Sequence, residues 1–164
     1  MVKDNAVVWK EFRIGDLFDC ITGNTDIKKE HINGKGINVV SSGLENYGII
    51  GKTDVDARVV AGNAITVDMF GNVFYRADKY KMVTHARVFT LLPKGFVLNE
   101  TLGLYICTTL KWLSAVYSFS NMCSFNKIKN EVIFLPAVKK IVPNFDKLLS
   151  VVDKWTVGGG IRYE

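Results

Sequence analysis

Residues 62–87, GNAITVDMFGNVFYRADKYKMVTHAR, decide the fold. From Ala64 to Phe70 apolar and non-apolar residues nearly alternate, and Gly71-Asn72 offers residue types that accept positive φ in a two-residue turn. The spacing predicts a hairpin with Met69 opposite Phe74 on a packed face and Asp68 opposite Tyr75 on a polar one. Past the second strand Arg76, Lys79, Lys81 and Arg87 stand against Asp78 alone, with Tyr80 and His85 among them. The hairpin therefore runs into a basic, aromatic flank.

Upstream of the hairpin, the β-branched run 37–40 leads into SSGLENYGIIG at 41–51, where three glycines predict bends in place of a regular element. The polar, glycine-punctuated stretch 23–36 reads as a surface loop. Near the start, 7–14 is a strand candidate and GDLF at 15–18 a helical turn, with Trp9, Phe12, Ile14, Leu17 and Phe18 as a core wedge. Downstream, 83–92 reads as a strand halted by Pro93 and Gly95. Asn99 suits the cap of a helix whose apolar residues recur at helical spacing to Tyr117, with Trp112 and Tyr117 in the core or at its rim. After a polar, aromatic stretch at 118–130, residues 131–135 read as a last strand. The order predicts an α+β fold: a twisted, mostly antiparallel sheet with one long flanking helix at about 99–117 and a short C-terminal helix at about 144–155. Residues 1–155 are expected to form a single domain and 156–164 a C-terminal tail.

A chain of 164 residues, 48% hydrophobic and 23% charged, fits one domain around one core without disulfides or a metal. Cys20, Cys107 and Cys123 are odd in number and lack CxxC spacing, which predicts neither a disulfide framework nor a zinc site, and points to a reducing compartment. With no charged-then-apolar leader and no apolar run near the ~20 residues that span a bilayer, a cytoplasmic protein without membrane contact is expected. The net charge of +5 favours a polyanionic partner, unless it serves solubility alone.

Catalytic patterns are missing. His31 and His85 belong to no HExxH, Cys/His cluster or GxSxG elbow, and no glycine run spells a phosphate loop. Asp68, His85 and Cys123 make a triad by type only. No catalytic residue and no metal site is therefore expected. Nucleic-acid binding needs cations for phosphates, polar groups for base edges and loops that enter a groove. Ser41, Ser42, Asn46, Tyr47, Lys52, Arg58, Asn72, Tyr75, Arg76, Lys79, Lys81 and Arg87 offer these roles. The competing reading is a solvated sheet edge carrying lysines that discourage strand pairing. Two further readings stay open at this point: a β-rich module binding protein or carbohydrate on Tyr47, Tyr75 and Tyr80, and a small hydrolase using His85.

The succession WKEFRIGDLFDCITG, VVSSGLENYGIIG, GNAITVDMFGNVFYR, a helix and KIKNEVIFLP resembles the target-recognition domain of restriction-modification specificity subunits, in type I, type IIG and BcgI-like systems, over about residues 8–155. The resemblance implies sequence-specific recognition of one half of a split target in double-stranded DNA. It implies a partner modification subunit, a methyltransferase that holds S-adenosylmethionine and flips and methylates an adenine, with no cofactor on this chain. A restriction subunit is implied as a further partner. Complete subunits of the family carry two recognition domains joined by long helices, for which NFDKLLSVVDKW is too short. That leaves a half-subunit pairing with a copy of itself through the C-terminal helix, or a piece of something longer. By the same resemblance Gly43, Gly48, Gly51, Gly62 and Gly71 shape the backbone, while Ser42, Asn46, Tyr47, Tyr75, Arg76, Lys79 and Lys81 are the stronger choices for contact.

Overall fold

A computed structural model describes residues 8–138 and 142–150. The chain runs through β1 (Trp9–Arg13), α1 (Ile14–Leu17), β2 (Phe18–Thr22), β3 (Ile37–Val40), β4 (Ile49–Thr53), β5 (Ala64–Val67), β6 (Val73–Arg76), β7 (Tyr80–Met82) and β8 (Phe89–Pro93). It continues with α2 (Glu100–Leu110), α3 (Leu113–Val116), α4 (Phe125–Ile128), β9 (Val132–Val138) and β10 (Val142–Pro143). Short 3-10 turns lie at Lys29–His31 and Glu45–Gly48. The fold is α+β and mostly antiparallel, as the sequence predicts, with the strands divided among three sheets: β1-β9-β10, β2-β8-β5-β6 and β4-β3-β7. The β3–β7 pair is parallel.

Two apolar clusters replace the single expected core. Phe18, Ile65, Leu91, Leu102, Ile106 and Leu110 belong to the larger, which lies under α2. Val39, Val40, Val60, Tyr80 and Met82 belong to the smaller, beneath the β4-β3-β7 sheet. β5 supplies Ile65 and Val67 to the first and Ala64 to the second, so all four of its residues are buried. The polar face expected of this hairpin is present as Thr66, Asp68 and Arg76 but is buried, because β5 is flanked by β8 and β6 and covered on both sides.

The hairpin register also departs from expectation. Val67 pairs with Val73, Thr66 with Phe74 and Ile65 with Tyr75, leaving residues 68–72 as the loop. The cause is Asp68, whose Oδ1 accepts from the backbone N–H groups of Phe70 and Asn72 at 2.9 and 3.0 Å. A carboxylate that satisfies the turn's own amides competes with two further residues of strand pairing. Gly71 is required there: its φ is +78°, and a Cβ would sit 2.6 Å from the backbone of Leu113.

Other elements shift for equally local reasons. Asn99 caps α2 as predicted, its Oδ1 accepting from Leu102 N at 2.9 Å, but the helix breaks at 111–112 before α3. Trp112 is left exposed at the break, and Trp9 is exposed instead of joining Phe12, Ile14, Leu17 and Phe18 in the core. The predicted strand at 83–92 starts only at Phe89, because a turn closes between Arg87 N and Thr84 O at 3.2 Å. β4 forms in the stretch read as glycine-interrupted, helped by a register irregularity opposite Val39 and Val40. β9 continues through Pro136, whose carbonyl accepts from Asn144 N at 2.8 Å. Residues 145–150 are helical and bury Leu148, whereas 151–155 of the expected C-terminal helix and the tail 156–164 lie outside the described residues. Among the described residues no helix is long and apolar enough to cross a membrane.

Replacing Leu110 by Ala should cost about 2–5 kcal/mol in chemical denaturation, because the side chain is fully buried where α2 meets the larger core. Burial pushes the thiols of Cys107 and Cys123 up to about 12 from an ordinary 9.0, and the Tyr80 phenol to about 12 from 10.0. These groups stay protonated in the folded protein after the unfolded chain has released its protons, so the stability they confer is complete below about pH 9 and is lost as pH rises towards 12. Melting temperature measured from pH 8 to 11 should fall accordingly, and Cys107→Ser should flatten the slope.

Candidate nucleic-acid interface

Between β3 and β4 the chain makes a short projecting loop. Ser41 N donates to Gly48 O at 2.8 Å, closing its neck, and Tyr47 N donates to Leu44 O at 3.1 Å. At the tip Asn46 and Tyr47 both adopt left-handed conformations, with φ of 45° and 55°. For non-glycine residues such conformations cost on the order of 1–3 kcal/mol each and persist only where the surroundings over-determine them. Leu44 and Tyr47 are 71% and 67% exposed, so packing at the tip does not supply that constraint.

Asn46 Nδ2 donates to Ile49 O at 3.1 Å within the loop, and the rest of the constraint comes from below. The Arg76 side chain donates from Nη2 to Tyr47 O at 2.7 Å and from Nε to Thr66 Oγ1 at 2.9 Å. Its guanidinium lies 5.2 Å from the centre of the Phe74 ring, which meets Tyr47 edge-on at 5.8 Å. Burial pulls the Arg76 guanidinium below its ordinary range, against the opposing effect of Tyr80, Cys107 and Asp68, but arginine remains a cation. Asp68 supplies the second brace, its Oδ2 accepting from Gly43 N at 2.8 Å and from Asn72 Nδ2 at 2.9 Å. Ser42 Oγ donates to Ala86 O and so ties the loop to the 84–87 turn.

Three residues expected at the surface are therefore in the interior. Arg76, Lys81 and Asn72 are only 7%, 5% and 9% exposed. Arg76 grips the loop from inside. Lys81 sits on β7 beside β3 and donates to Val55 O, and Asn72 completes the shell of Asp68. Their polar atoms are spent on backbone and side-chain partners, as burial demands. Arg76 and Asn72 shape the loop, Lys81 holds the segment after β4, and the expectation of an exposed cationic strand is corrected.

The other candidates gather on the outside. Tyr47, Tyr75 and Lys79, with Asn38, line a hollow of about 420 Å³ against the start of α2. Lys79, Asn38 and Lys52 continue into the adjoining hollow. Ser41 and Ser42 are half-buried at the root of the loop, and Asn46 is exposed at its tip. Tyr75 donates from its hydroxyl to Asn63 Oδ1 and rests its ring on α2 at Gly103, where a Cβ would lie 2.3 Å from the ring. Arg87 lies elsewhere, in a cleft with Phe119 and Lys127, and the exposed Arg58 donates to Thr22 O at 2.7 Å. Asn38 has no motif around it in the sequence, whereas Asp68 as organiser is signalled there by an Asp four residues before an Asn in a glycine-bearing turn.

The rival readings lose members. Tyr80 is buried with its hydroxyl 2.6 Å from Thr90 Oγ1, so it cannot join Tyr47 and Tyr75 in a platform. His85 Nδ1 pairs with Asp26 at 2.7 Å, away from the Asp68 that the triad needs, and Asp68 is occupied by amides. No group of side chains suited to a metal ion occurs among the described residues.

With this geometry in place, comparison with known proteins assigns the family. The type I restriction modification DNA specificity domain matches residues 7–154, and the chain belongs to that family. The membership carries a role in DNA target recognition and no catalytic role. The chain is 25% identical over 154 residues to S.BcgI, the specificity subunit of a type II restriction enzyme from Heyndrickxia coagulans, covering 92% of this chain and 45% of that one. In fold it is similar to the S subunit of a type I restriction-modification system from M. genitalium, at a TM-score of 0.66 and 16% identity over 96% of this chain and 40% of that one. A chain from a structure concerned with complex assembly and conformational transition of the type I system gives a TM-score of 0.63 at 15% identity, over 95% of this chain and 41% of that one. The chain thus spans less than half the length of each of these relatives.

Arg76→Ala should destabilise the domain by about 2–4 kcal/mol in thermal or denaturant unfolding, since it strands buried acceptors at Thr66 and Tyr47. Lys79→Ala, exposed and outside every recorded ion pair among the described residues, should stay within about 0.5 kcal/mol of the parent.

Proposed function

We propose that this domain reads one half of a split target in double-stranded DNA and positions it for a partner methyltransferase subunit that carries S-adenosylmethionine. The observation that carries the reading is the internally braced loop at 41–48, which holds Asn46 and Tyr47 outward beside Lys52, Lys79 and Tyr75. Rigid presentation of an amide, a phenol and two ammonium groups suits a groove edge with phosphates on its rim. Similarity to specificity subunits, one of them from a type II enzyme, supports the assignment to a larger complex. In it, residues 1–155 act as the recognition domain, and a second recognition domain is supplied by self-association through the C-terminal helix or by further chain. A restriction subunit joins the same assembly, which operates in the cytoplasm.

Co-expression with the methyltransferase subunit, followed by mapping of methylated adenines, tests this directly. A two-part motif that requires both proteins is expected, symmetric if two copies of this chain serve the two halves. Methylation by the partner that is indifferent to this chain would overturn the reading. With four to six phosphates engaged, log K for the duplex should fall against log salt with a slope of roughly −4 to −5, and Lys52→Ala and Lys79→Ala should each reduce its magnitude by about 1. Asn46→Ala should instead change the methylated motif while leaving that slope alone.

A further inference from the structure

We propose that the turn at 118–121 is a second DNA-contacting element, with Phe119 a wedge against a base step and Arg87 and Lys127 contacts for the phosphates beside it. The inference rests on the DNA-reading role proposed above and extends it to the segment 118–127, which carries none of the sequence's candidates for nucleic-acid contact, and to Arg87, the one candidate that faces it.

Ser118 and Asn121 exchange both backbone hydrogen bonds, each at 3.1 Å, and hold Phe119 at the tip of the closed turn. Its ring is 72% exposed, although the adjoining segment buries Cys123. An apolar ring on a rigid, polar turn is the arrangement by which side chains enter a base stack. Lys127 fixes the turn from behind, donating from Nζ to Asn121 Oδ1 at 2.8 Å and to Met122 O at 2.7 Å, with a third proton left for a phosphate. Across a cleft of about 750 Å³ stands Arg87, exposed and held at a φ of 51° by the 84–87 turn. Arg87 and Lys127 are the charged side chains lining the cleft, and among the described residues no carboxylate lines it. A polyanion is the complementary occupant.

The cleft is also coupled to the reading loop. Cys123 N donates to Met69 O at 2.8 Å, joining the turn's segment to the loop that carries Asp68. Asp68 in turn holds Gly43, and Ser42 holds Ala86 beside Arg87. The turn and the reading loop are therefore joined through one chain of hydrogen bonds, which fixes the position of each relative to the other.

The test uses the assembled complex of this chain with its methyltransferase subunit and a duplex carrying the motif mapped as above, with a fluorophore at each end. The wild type is expected to shorten the end-to-end distance on binding. Phe119→Ala should abolish most of that bend and weaken binding about tenfold, with melting temperature and methylated motif unchanged, while Phe119→Trp should retain the bend. Arg87→Gln should reduce the magnitude of the salt slope by about 1. Wild-type bend and affinity in Phe119→Ala overturn the wedge alone. Loss of assembly with the methyltransferase subunit in the absence of DNA would make the turn a subunit contact and also overturn it. A wild-type complex that binds no duplex at any salt concentration removes the recognition role and the wedge together.

Discussion

The surface of this domain hangs on a buried carboxylate. Asp68 accepts from the backbone of Phe70 and Asn72 on one oxygen and from Gly43 N and Asn72 Nδ2 on the other. A buried charge is tolerable only when its lone pairs are met, and here four donors meet them. The arrangement does two things at once. It ends the β5–β6 ladder early, and it fastens the loop at 41–48 to that ladder's end.

Arg76 complements this from the strand side. Coming off β6, it reaches across to the same loop and fixes the carbonyl of Tyr47, while Phe74 offers its face to the guanidinium and meets the Tyr47 ring nearly at right angles. The strained φ values at Asn46 and Tyr47 are thereby held in place before any ligand arrives. Ordering a loop during binding costs free energy that would otherwise strengthen the complex. A specificity domain gains discrimination when its contact groups are already placed, because a wrong base then leaves a fixed polar group unpaired.

Fold class, the long helix with its Asn99 cap, and β1 and β9 were legible in the sequence, since each rests on local periodicity or capping chemistry, whereas the two-residue β10 was not. The hairpin was legible as a hairpin but not in register, because alternation at 64–70 could not reveal that Asp68 would prefer amides of its own turn to a cross-strand neighbour. β7 and the late start of β8 were hidden by Lys79, Lys81 and Arg87, whose charges mimic a solvent-exposed flank. For the site, Tyr47 and Lys52 were readable as polar residues beside glycines, and Lys79 as a member of the basic stretch after the hairpin. The interior positions of Arg76, Lys81 and Asn72 were not, as a cation buried against a carbonyl looks in sequence like a cation in water.

The grip of Arg76 on Tyr47 falls on a main-chain oxygen, and that of Asp68 on the Gly43 amide. Neither anchor notices which side chains occupy positions 44–47. The scaffold thus works as a chuck that accepts interchangeable bits: side chains at 44 and 45 can be exchanged most freely, while at the two left-handed positions glycine, asparagine or aspartate is cheapest and the Asn46 and Tyr47 side chains also help seat the tip.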